Sequence, residues 1–366
     1  MKEKEKKAKQ KLWVRVLRGV GIALLVLVLA VVWLFGWLTV GEYKPEAVEI
    51  VPVEGAASQY LKPGDSLTVM TWNMGYGALG DNADFFMDGG SGVRTADAER
   101  VEENVGAVLA EISTYTPDVV FLQECDRDSS RSHHIDEAAM LTAGLTGYQS
   151  TFAYNYRVLF VPYPVPPIGK VNSGLLTLSS YPVTASERIQ LPCPFSWPLR
   201  LGNLKRCLMV DRVPLASSDK ELVLINLHLE AYDNGEGKIA QTEMLRDILQ
   251  AEADAGNYVI AGGDFNQIFS DIENPFPSQE GMWLPGEIDV SAFSGDWQFL
   301  MDVTKPSCRS LDKPLIGADL DSFQYYLIDG FIVSKALAVS YLGTHDLGFV
   351  NSDHNPVFLT VTLPAE

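Results

Sequence analysis

Two short stretches in the C-terminal half decide the fold: Gly262-Gly263-Asp264-Phe265-Asn266 and Ser352-Asp353-His354-Asn355-Pro356. The first follows the apolar run 258–261, and the second leads into the apolar run 356–359. Short apolar runs bounded by turn-forming residues are typical of buried strands. The two stretches therefore predict strands that direct four polar side chains into one cleft, although turn residues after a strand would give the same local pattern.

Apolar runs elsewhere predict further strands and helices. Strands are expected at 67–73, 118–124, 173–179, 207–213, 221–229, 258–265, 327–334 and 356–363, and helices at 94–113 and 238–255. Strands outnumber helices, which favours mixed sheets packed together over a simple alternating wound sheet. Long loops are expected at 160–169 and 267–324. Loops of this length are commonly functional, and the second is alternatively a packed irregular insertion.

The polar residues at the predicted strand ends form an ordered set. They are Asn73, Glu124, His228, Asp264, Asn266, Asp329, Asp353 and His354. Hard divalent cations bind carboxylate and amide oxygens, and metal-assisted hydrolysis also needs a side chain that can accept or donate a proton. The set therefore predicts a metal-dependent hydrolase.

In its order and spacing, with GDFN at 263–266 and SDHNPV at 352–357, the set resembles the endonuclease/exonuclease/phosphatase superfamily over residues 66–363. That group includes pancreatic-type deoxyribonucleases, abasic-site endonucleases, bacterial sphingomyelinases and inositol-polyphosphate phosphatases. The resemblance implies an α/β fold: a four-layer sandwich of two mixed β-sheets packed face to face, with helices outside.

The resemblance also implies a role for each residue. Glu124, with Asn73 beside it and Asp353, matches the metal-binding positions, and Mg²⁺ or Mn²⁺ is the expected cofactor. Asp264 and Asn266 match the pair that orients the attacking water and the phosphate, and His228 matches a phosphate-side position. Asp329 and His354 match a carboxylate–histidine pair, and Gly330 stands where family members usually have another residue. Which residue is the general base stays open.

The first 40 residues predict a membrane anchor. Gly19 to Val40 is a run of 22 residues without charge, which at about 1.5 Å per residue spans a hydrocarbon core of about 30 Å. Residues 1–18 carry eight lysines or arginines against two glutamates, and positive flanks stay in the cytoplasm. We expect a cytoplasmic tail (1–18), a transmembrane helix (19–40), a linker (41–65) and an extracytoplasmic catalytic domain (66–366).

The alternative is a cleaved secretory signal. The apolar run is longer than a usual signal, and no clean small-x-small cleavage site follows it. Either reading exports the domain.

The charge of the exported part is strongly acidic. The whole chain carries a formal net charge of −19 and residues 1–18 carry +6, so the remainder carries −25. Such a domain repels polyanions over long range, whereas nucleic-acid-binding proteins usually present basic faces. This balance disfavours DNA and RNA as partners without excluding a local basic groove.

Cysteines and histidines outside the ordered set predict no further site. Cys125 follows an apolar run and is expected to be a small buried residue. Cys193 and Cys207 are close enough to form a disulfide in an exported domain, but the sequence does not fix their pairing. His133 and His134 lie in a Ser- and Asp-rich segment and are expected to be solvated, with stray metal binding as the alternative.

The sequence thus predicts a membrane-anchored phosphoric-ester hydrolase that acts on a lipid or a small phosphate ester. The loop at 160–169 and the aromatic residues Trp283 and Trp297 are expected to offer apolar surface at the membrane interface. The alternatives are a surface nuclease that degrades DNA or RNA and an inactive binding module on an anchor. No obligate protein partner is evident.

Overall fold

Two mixed β-sheets packed face to face form the centre of the computed structural model, which describes residues 1–365. Its helices are α1 (Lys2–Val40), α2 (Ala98–Tyr115), α3 (Glu137–Gly144) and α4 (Glu236–Asp254). Its strands are β1 (Val48–Ile50), β2 (Val53–Gly55), β3 (Ser66–Asn73), β4 (Val119–Asp126), β5 (Gln149–Val161), β6 (Gly169–Ser179), β7 (Ala185–Gln190), β8 (Cys207–Pro214), β9 (Glu221–His228), β10 (Tyr258–Asp264), β11 (Gln267–Phe269), β12 (Gly286–Ile288), β13 (Trp297–Leu300), β14 (Cys308–Arg309), β15 (Tyr325–Tyr326), β16 (Asp329–Ser334), β17 (Ala338–Thr344) and β18 (Val357–Thr362).

The strand order explains why helices cover both outer faces. The first sheet runs β1-β7-β8-β9-β10-β16-β13, and the second runs β17-β18-β3-β4-β6-β5-β2. The pairs β9–β10 and β3–β4 are parallel. A parallel pair needs a long crossover connection. Along the chain, α4 lies between β9 and β10, and α2 lies between β3 and β4.

Side chains of the central strands alternate between an inner and an outer core. On β4, Phe121 packs between the sheets, whereas Leu122 joins the core that includes the apolar stripe of α2. On β9, Leu224 packs between the sheets, whereas Ile225 joins the core that includes α4. Successive side chains of a strand point to opposite faces, so these strands are apolar throughout. The predicted four-layer sandwich with outer helices is confirmed.

The buried side-chain amide of Asn226 forms hydrogen bonds between the two sheets. Asn226 on β9 accepts a hydrogen bond from Gln123 Nε2 at 2.8 Å, and its own amide nitrogen contacts the carbonyl oxygens of Leu122 and Leu176 at 3.3 and 3.1 Å. Asn226 is completely buried, so these hydrogen bonds replace its lost hydration. The polar residue in the middle of the strand-like run 221–229 is therefore a structural element.

The segment 41–65 corrects one prediction, because it is not a free linker. It contributes β1, which pairs with β7 at one edge of the first sheet, and β2, which pairs with β5 at one edge of the second. Val51, between these strands, is buried with residues of both sheets. The segment that connects α1 to β3 is therefore held against both sheets of the sandwich.

The region 267–324 is not one long loop, because it contains the short strands β11 to β14 and packs in part against the core that includes α4. Trp297 begins β13 and is 7% exposed, in the core that includes α4, so the expectation that it faces a membrane is wrong. Trp283 is half-buried, and its indole nitrogen donates to the carbonyl oxygen of Ala231 at 3.1 Å. The loop between β5 and β6 carries strongly exposed apolar residues as expected, with Tyr163 68% and Val165 92% exposed.

The cysteines form no disulfide in the part of the chain that the structure describes. All four cysteines are free thiols, and Cys125 is buried as expected. The open possibility of a Cys193–Cys207 disulfide is thus not realised. His133 and His134 are exposed, which confirms the prediction that they are solvated.

Candidate active site

The predicted polar residues converge at one end of the sandwich, where both sheets contribute. Asp264 ends β10 and pairs in register with His228 at the end of β9 and with Asp329 at the start of β16. Asn73 ends β3 in the second sheet, and β4 next to it carries Glu124. Parallel neighbours end at the same edge of a sheet, so the two parallel pairs bring their C-terminal residues to one place.

The Asp264 carboxylate lies at the centre of this cluster. Its Oδ2 accepts a hydrogen bond from Asn73 Nδ2 at 3.0 Å and lies 3.5 Å from His228 Nε2 and 3.9 Å from His354 Nε2. Its Oδ1 accepts a hydrogen bond from the backbone nitrogen of Asn266 at 2.9 Å. Burial raises the pKa of Asp264 to about 7, and repulsion from Asp329 adds to the rise. A carboxyl poised near neutral pH is suited to accept a proton from water.

His354 is held as a cation by the carboxylate behind it. Asp329 Oδ2 lies 2.8 Å from His354 Nδ1, so Nε2 faces the cluster. Burial is the largest single influence and lowers the pKa of His354, but Asp329, Cys308 and Asp353 together outweigh it and hold that pKa well above its usual value. The backbone of His354 is fixed by Trp72, whose indole nitrogen donates to its carbonyl oxygen at 2.9 Å. His354 can therefore present a charged N–H donor to an anion.

His228 has the opposite electrostatic character. Burial lowers the pKa of His228 well below its usual value, and the adjacent Arg206 lowers it further. Its ring is therefore neutral, and among the described residues its Nδ1 has no hydrogen-bond partner. Two histidines of different charge, one neutral and one cationic, thus flank the same carboxylate.

The donor set beside this cluster fits a hard divalent cation. Glu124 and Asp353 both line the cavity. Burial raises the pKa of Asp353 to about 6; His354 opposes this rise, and the neighbouring Glu124 adds to it. A cation between the two carboxylates would relieve their repulsion, and carboxylate oxygens are the ligands that Mg²⁺ prefers. A second group of possible ligands, Cys308, Asp353 and His354, includes a thiol, which suits softer metals.

Asn73 links the two halves of the site. Its Nδ2 donates to Asp264 and lies 3.4 Å from Glu124 Oε1, while its Oδ1 accepts from the backbone nitrogen of Gly75 at 3.1 Å. The amide nitrogen of Asn73 therefore holds the predicted proton acceptor and the predicted metal ligand in a fixed relation. The other predicted residues all line the same cavity except Asp329, which acts from behind His354.

Two arginines belong to the site although the sequence analysis did not select them. Arg131 is 8% exposed, pairs with Asp126 at 3.0 Å, and lies 3.9 Å from Glu124. Arg206 pairs with Glu230 at 3.2 Å and donates to the carbonyl oxygen of His228 at 3.0 Å. Both line the cavity and can interact with a phosphate. No local signal distinguishes Arg131 within the segment RDSSRSHH, because its contacts with Glu124 and with the Tyr76 ring are seen only in the structure.

The site lies in a cavity of about 780 Å³ with a polar floor and largely apolar walls. The floor holds the carboxylates and histidines described above. The walls include Leu79, Phe85, Phe86, Phe160, Tyr163 and Leu201, together with Phe35 and Leu38 of α1. The cavity is thus much larger than a phosphoryl group, and it can hold an apolar group attached to one.

Two carboxylates that could hold a divalent cation, the buried Asp264 and the His354–Asp329 pair lie in or directly beside one cavity, an arrangement suited to the hydrolysis of phosphoric esters. The sequence matches the model of the Endonuclease/Exonuclease/phosphatase family over residues 70–354, and the chain belongs to this family. It is accordingly a metal-dependent hydrolase of phosphoric ester bonds. No curated protein matches the sequence.

Solved structures share the fold at low sequence identity. An endonuclease/exonuclease/phosphatase from Beutenbergia cavernae is 19% identical, with a TM-score of 0.54 over 82% of this chain and 72% of that chain. TDP2 from C. elegans is 16% identical, with a TM-score of 0.51 over 83% of this chain and 77% of that one. The human Nocturnin catalytic domain, solved with a bound sulfate anion, is 20% identical, with a TM-score of 0.50 over 86% and 97%. These similarities support the sandwich fold.

Proposed function

We propose that the chain is a membrane-anchored, Mg²⁺-dependent hydrolase that acts on the phosphoric ester of a lipid or small molecule. The observation that carries the proposal is the convergence of Asp264, His354 and the Glu124–Asp353 pair at the floor of one cavity with apolar walls. In this proposal residues 1–18 are a cytoplasmic tail, 19–40 span the membrane, and the catalytic domain from residue 66 lies outside.

The reaction that we propose is attack of water on phosphorus. Asp264 accepts a proton from the water as the new phosphorus–oxygen bond forms, and Asn73 and Asn266 hold the carboxylate in place. His354 donates a hydrogen bond to a phosphoryl oxygen on which negative charge develops. Glu124 and Asp353 would hold a divalent cation, which would neutralise further negative charge on the phosphoryl group. The bond to the leaving oxygen breaks, and solvent protonates the released alkoxide to give the alcohol.

Charge and cavity shape favour a lipid or small ester over a nucleic acid. The net charge of −25 beyond the basic tail opposes a polyanion, because binding to a nucleic acid depends on Lys and Arg that release counterions. Arg131 and Arg206 are each paired with a carboxylate, so they add little free positive charge. Rapid cleavage of plasmid DNA by the purified protein would instead favour a surface nuclease.

The first expected result concerns metal dependence. Purified full-length protein in detergent should hydrolyse bis-p-nitrophenyl phosphate in Mg²⁺ or Mn²⁺, because the metal neutralises charge on the phosphoryl oxygens. Excess EDTA should stop the reaction, and returning Mg²⁺ should restore it. The release of p-nitrophenol measures both. Activity that persists in EDTA would contradict the proposed role of a metal.

The anchor proposal rests on α1. This helix is long and apolar enough to cross a membrane, and its apolar window has no residue buried against the protein, although an N-terminal signal sequence has the same properties. Its N-terminal turns carry the excess of Lys and Arg that orients a span with its N-terminus inside.

Topology is tested on intact cells. If α1 is an uncleaved anchor with its N-terminus inside, external protease should remove the catalytic domain and leave a short membrane-bound stub, detectable with an N-terminal tag. A soluble protein that starts near Glu42 would instead show a cleaved signal. Protection from external protease would contradict the proposed orientation.

A further inference from the structure

We propose that the C-terminal turns of α1 form part of the wall of the substrate cavity and that the substrate is a phospholipid taken from the bilayer that holds α1. This inference rests on the proposed function and deepens it, because it names the substrate class, its direction of entry and the residues that receive its apolar part.

The end of α1 is docked firmly on the catalytic domain. Trp197 Nε1 donates to Thr39 Oγ1 at 3.1 Å, and the Trp197 ring lies 6.0 Å from the ring of Phe35. Directly after the helix, Glu42 pairs with Arg200 at 3.1 Å and with Lys205 at 3.3 Å. The side chain of Glu42 is 4% exposed, and a buried carboxylate with two cationic partners constrains the chain more than an exposed ion pair does.

The same helical turns face the substrate cavity. Phe35 and Leu38 line it, and Leu38 is 5% exposed although most of α1 is exposed. From these residues the apolar wall continues through Leu199 and Tyr163 to Phe86. A continuous apolar surface therefore connects the transmembrane helix to the polar floor where the phosphate would bind.

Exposed apolar side chains lie at the rim of the cavity or next to it: Leu199 and Tyr163 line the cavity, and Trp197 and Val165 each lie two residues from one of them in the chain. Trp197 is 52% exposed, Leu199 65%, Tyr163 68% and Val165 92%. Trp197 contacts the last turn of α1, which places this part of the rim at the end of the apolar span, where aromatic residues favour the membrane–water interface. An acidic domain gains little from anionic headgroups, so apolar contact is the attraction that this rim offers to a bilayer.

This arrangement restricts which lipids can react. Because α1 is fixed to the cavity wall, the cavity opens beside the bilayer in which α1 is embedded. A lipid of that bilayer can place its phosphate on the floor while its apolar chain follows the wall formed by Phe35, Leu38 and Leu199. A lipid in another membrane cannot reach the cavity in this orientation.

The test uses full-length protein reconstituted into vesicles of phosphatidylcholine, phosphatidylglycerol and sphingomyelin. Isotope-labelled lipids are placed either in the protein-bearing vesicles or in separate vesicles, and mass spectrometry follows their loss in Mg²⁺. Lipids that share the protein's bilayer should be lost at least about tenfold faster, because tethering raises their effective concentration. Bis-p-nitrophenyl phosphate and plasmid DNA are assayed in parallel.

Two leucines in comparable one-turn helices provide a matched pair of variants. Leu199→Asp puts a charge on the proposed wall, whereas Leu320→Asp alters an exposed leucine that does not line the cavity. Leu199→Asp should lower the ratio of lipid turnover to soluble-ester turnover at least about tenfold, because a carboxylate is costly beside acyl chains. Leu320→Asp should leave both rates within about twofold of the wild type.

The outcomes separate this inference from the proposed function. Hydrolysis of the soluble ester without loss of lipid, or equal loss from both vesicle populations, would overturn the inference and leave the hydrolase intact. An unchanged ratio of lipid to soluble-ester turnover in Leu199→Asp would exclude Leu199 from the surface that contacts the lipid. Rapid plasmid cleavage without lipid turnover would show that the protein is a nuclease. If neither the ester nor any lipid is cleaved in Mg²⁺, the proposed function itself fails.

Discussion

Asp264→Asn is expected to lower turnover of bis-p-nitrophenyl phosphate by about a hundred- to a thousand-fold, with little change in protein stability. Asparagine keeps the shape of the side chain, and its single oxygen can accept a hydrogen bond either from Asn73 or from the backbone nitrogen of Asn266. It cannot take a proton from water, and it removes the charge that faces His228 and His354. The rate constant at saturating Mg²⁺ and substrate measures the effect, and circular dichroism confirms the fold.

A control variant makes this result specific to the site. Asp254 ends α4 and is exposed, so Asp254→Asn should leave turnover within about twofold of the wild type. Near-normal turnover in Asp264→Asn would exclude Asp264 as proton acceptor. His228 is then the first alternative, because it is neutral and its Nδ1 has no partner among the described residues.

The strands that carry the site could be predicted because their signals are local. β4, β9 and β10 are buried on both faces, so each is a nearly continuous apolar run that ends in a polar residue. The end of such a run also fixes the position of the functional side chain. For this reason Glu124, His228 and Asp264 could be placed from the sequence alone.

Other strands could not be predicted, because their sequences mix apolar and polar residues or because the strand forms only where a neighbouring strand offers a free edge. β5, at 13 residues the longest strand, alternates between buried and partly exposed positions and includes Asn155 and Arg157, so no continuous apolar run marks it. β1 and β2 have three residues each and exist because β7 and β5 offer free edges. β17 lies at an edge of the second sheet, and only one of its seven residues is buried.

The residues proposed to carry out the chemistry could be identified from the sequence. The residues that set the electrostatics of the site could be identified only from the structure. Arg131 lies with its guanidinium 3.6 Å from the centre of the Tyr76 ring, and Arg206 lies behind His228. These contacts join segments that are far apart in the chain or opposed across the cavity. The contact of α1 with the cavity wall could not be predicted either. The composition of an apolar span predicts the span itself, but it does not predict which residues pack against the end of the helix.

Glu124→Gln is expected to raise the Mg²⁺ concentration needed for half-maximal activity by roughly a hundred-fold or more. Changes in groups that only support metal ligands already lower metal affinity by about 10–100-fold, so the loss of a direct carboxylate ligand should have at least that effect. At limiting Mg²⁺ the variant should be nearly inactive. Glutamine keeps an oxygen donor but removes the negative charge on which attraction to the cation depends.

Two measurements distinguish a metal ligand from a residue that merely shapes the cavity. Calorimetric titration of the substrate-free protein with Mg²⁺ should show the same loss of affinity as the activity curve, whereas a residue that only shapes the cavity should alter substrate saturation and leave metal binding unchanged. Glu102 is exposed on α2, and Glu102→Gln should behave as the wild type in both assays. An unchanged Mg²⁺ affinity in Glu124→Gln would indicate that the metal binds instead at the group formed by Cys308, Asp353 and His354. In that case Asp353→Asn, and not Glu124→Gln, should abolish calorimetric binding, because a thiol and a histidine alone are poor ligands for a hard cation.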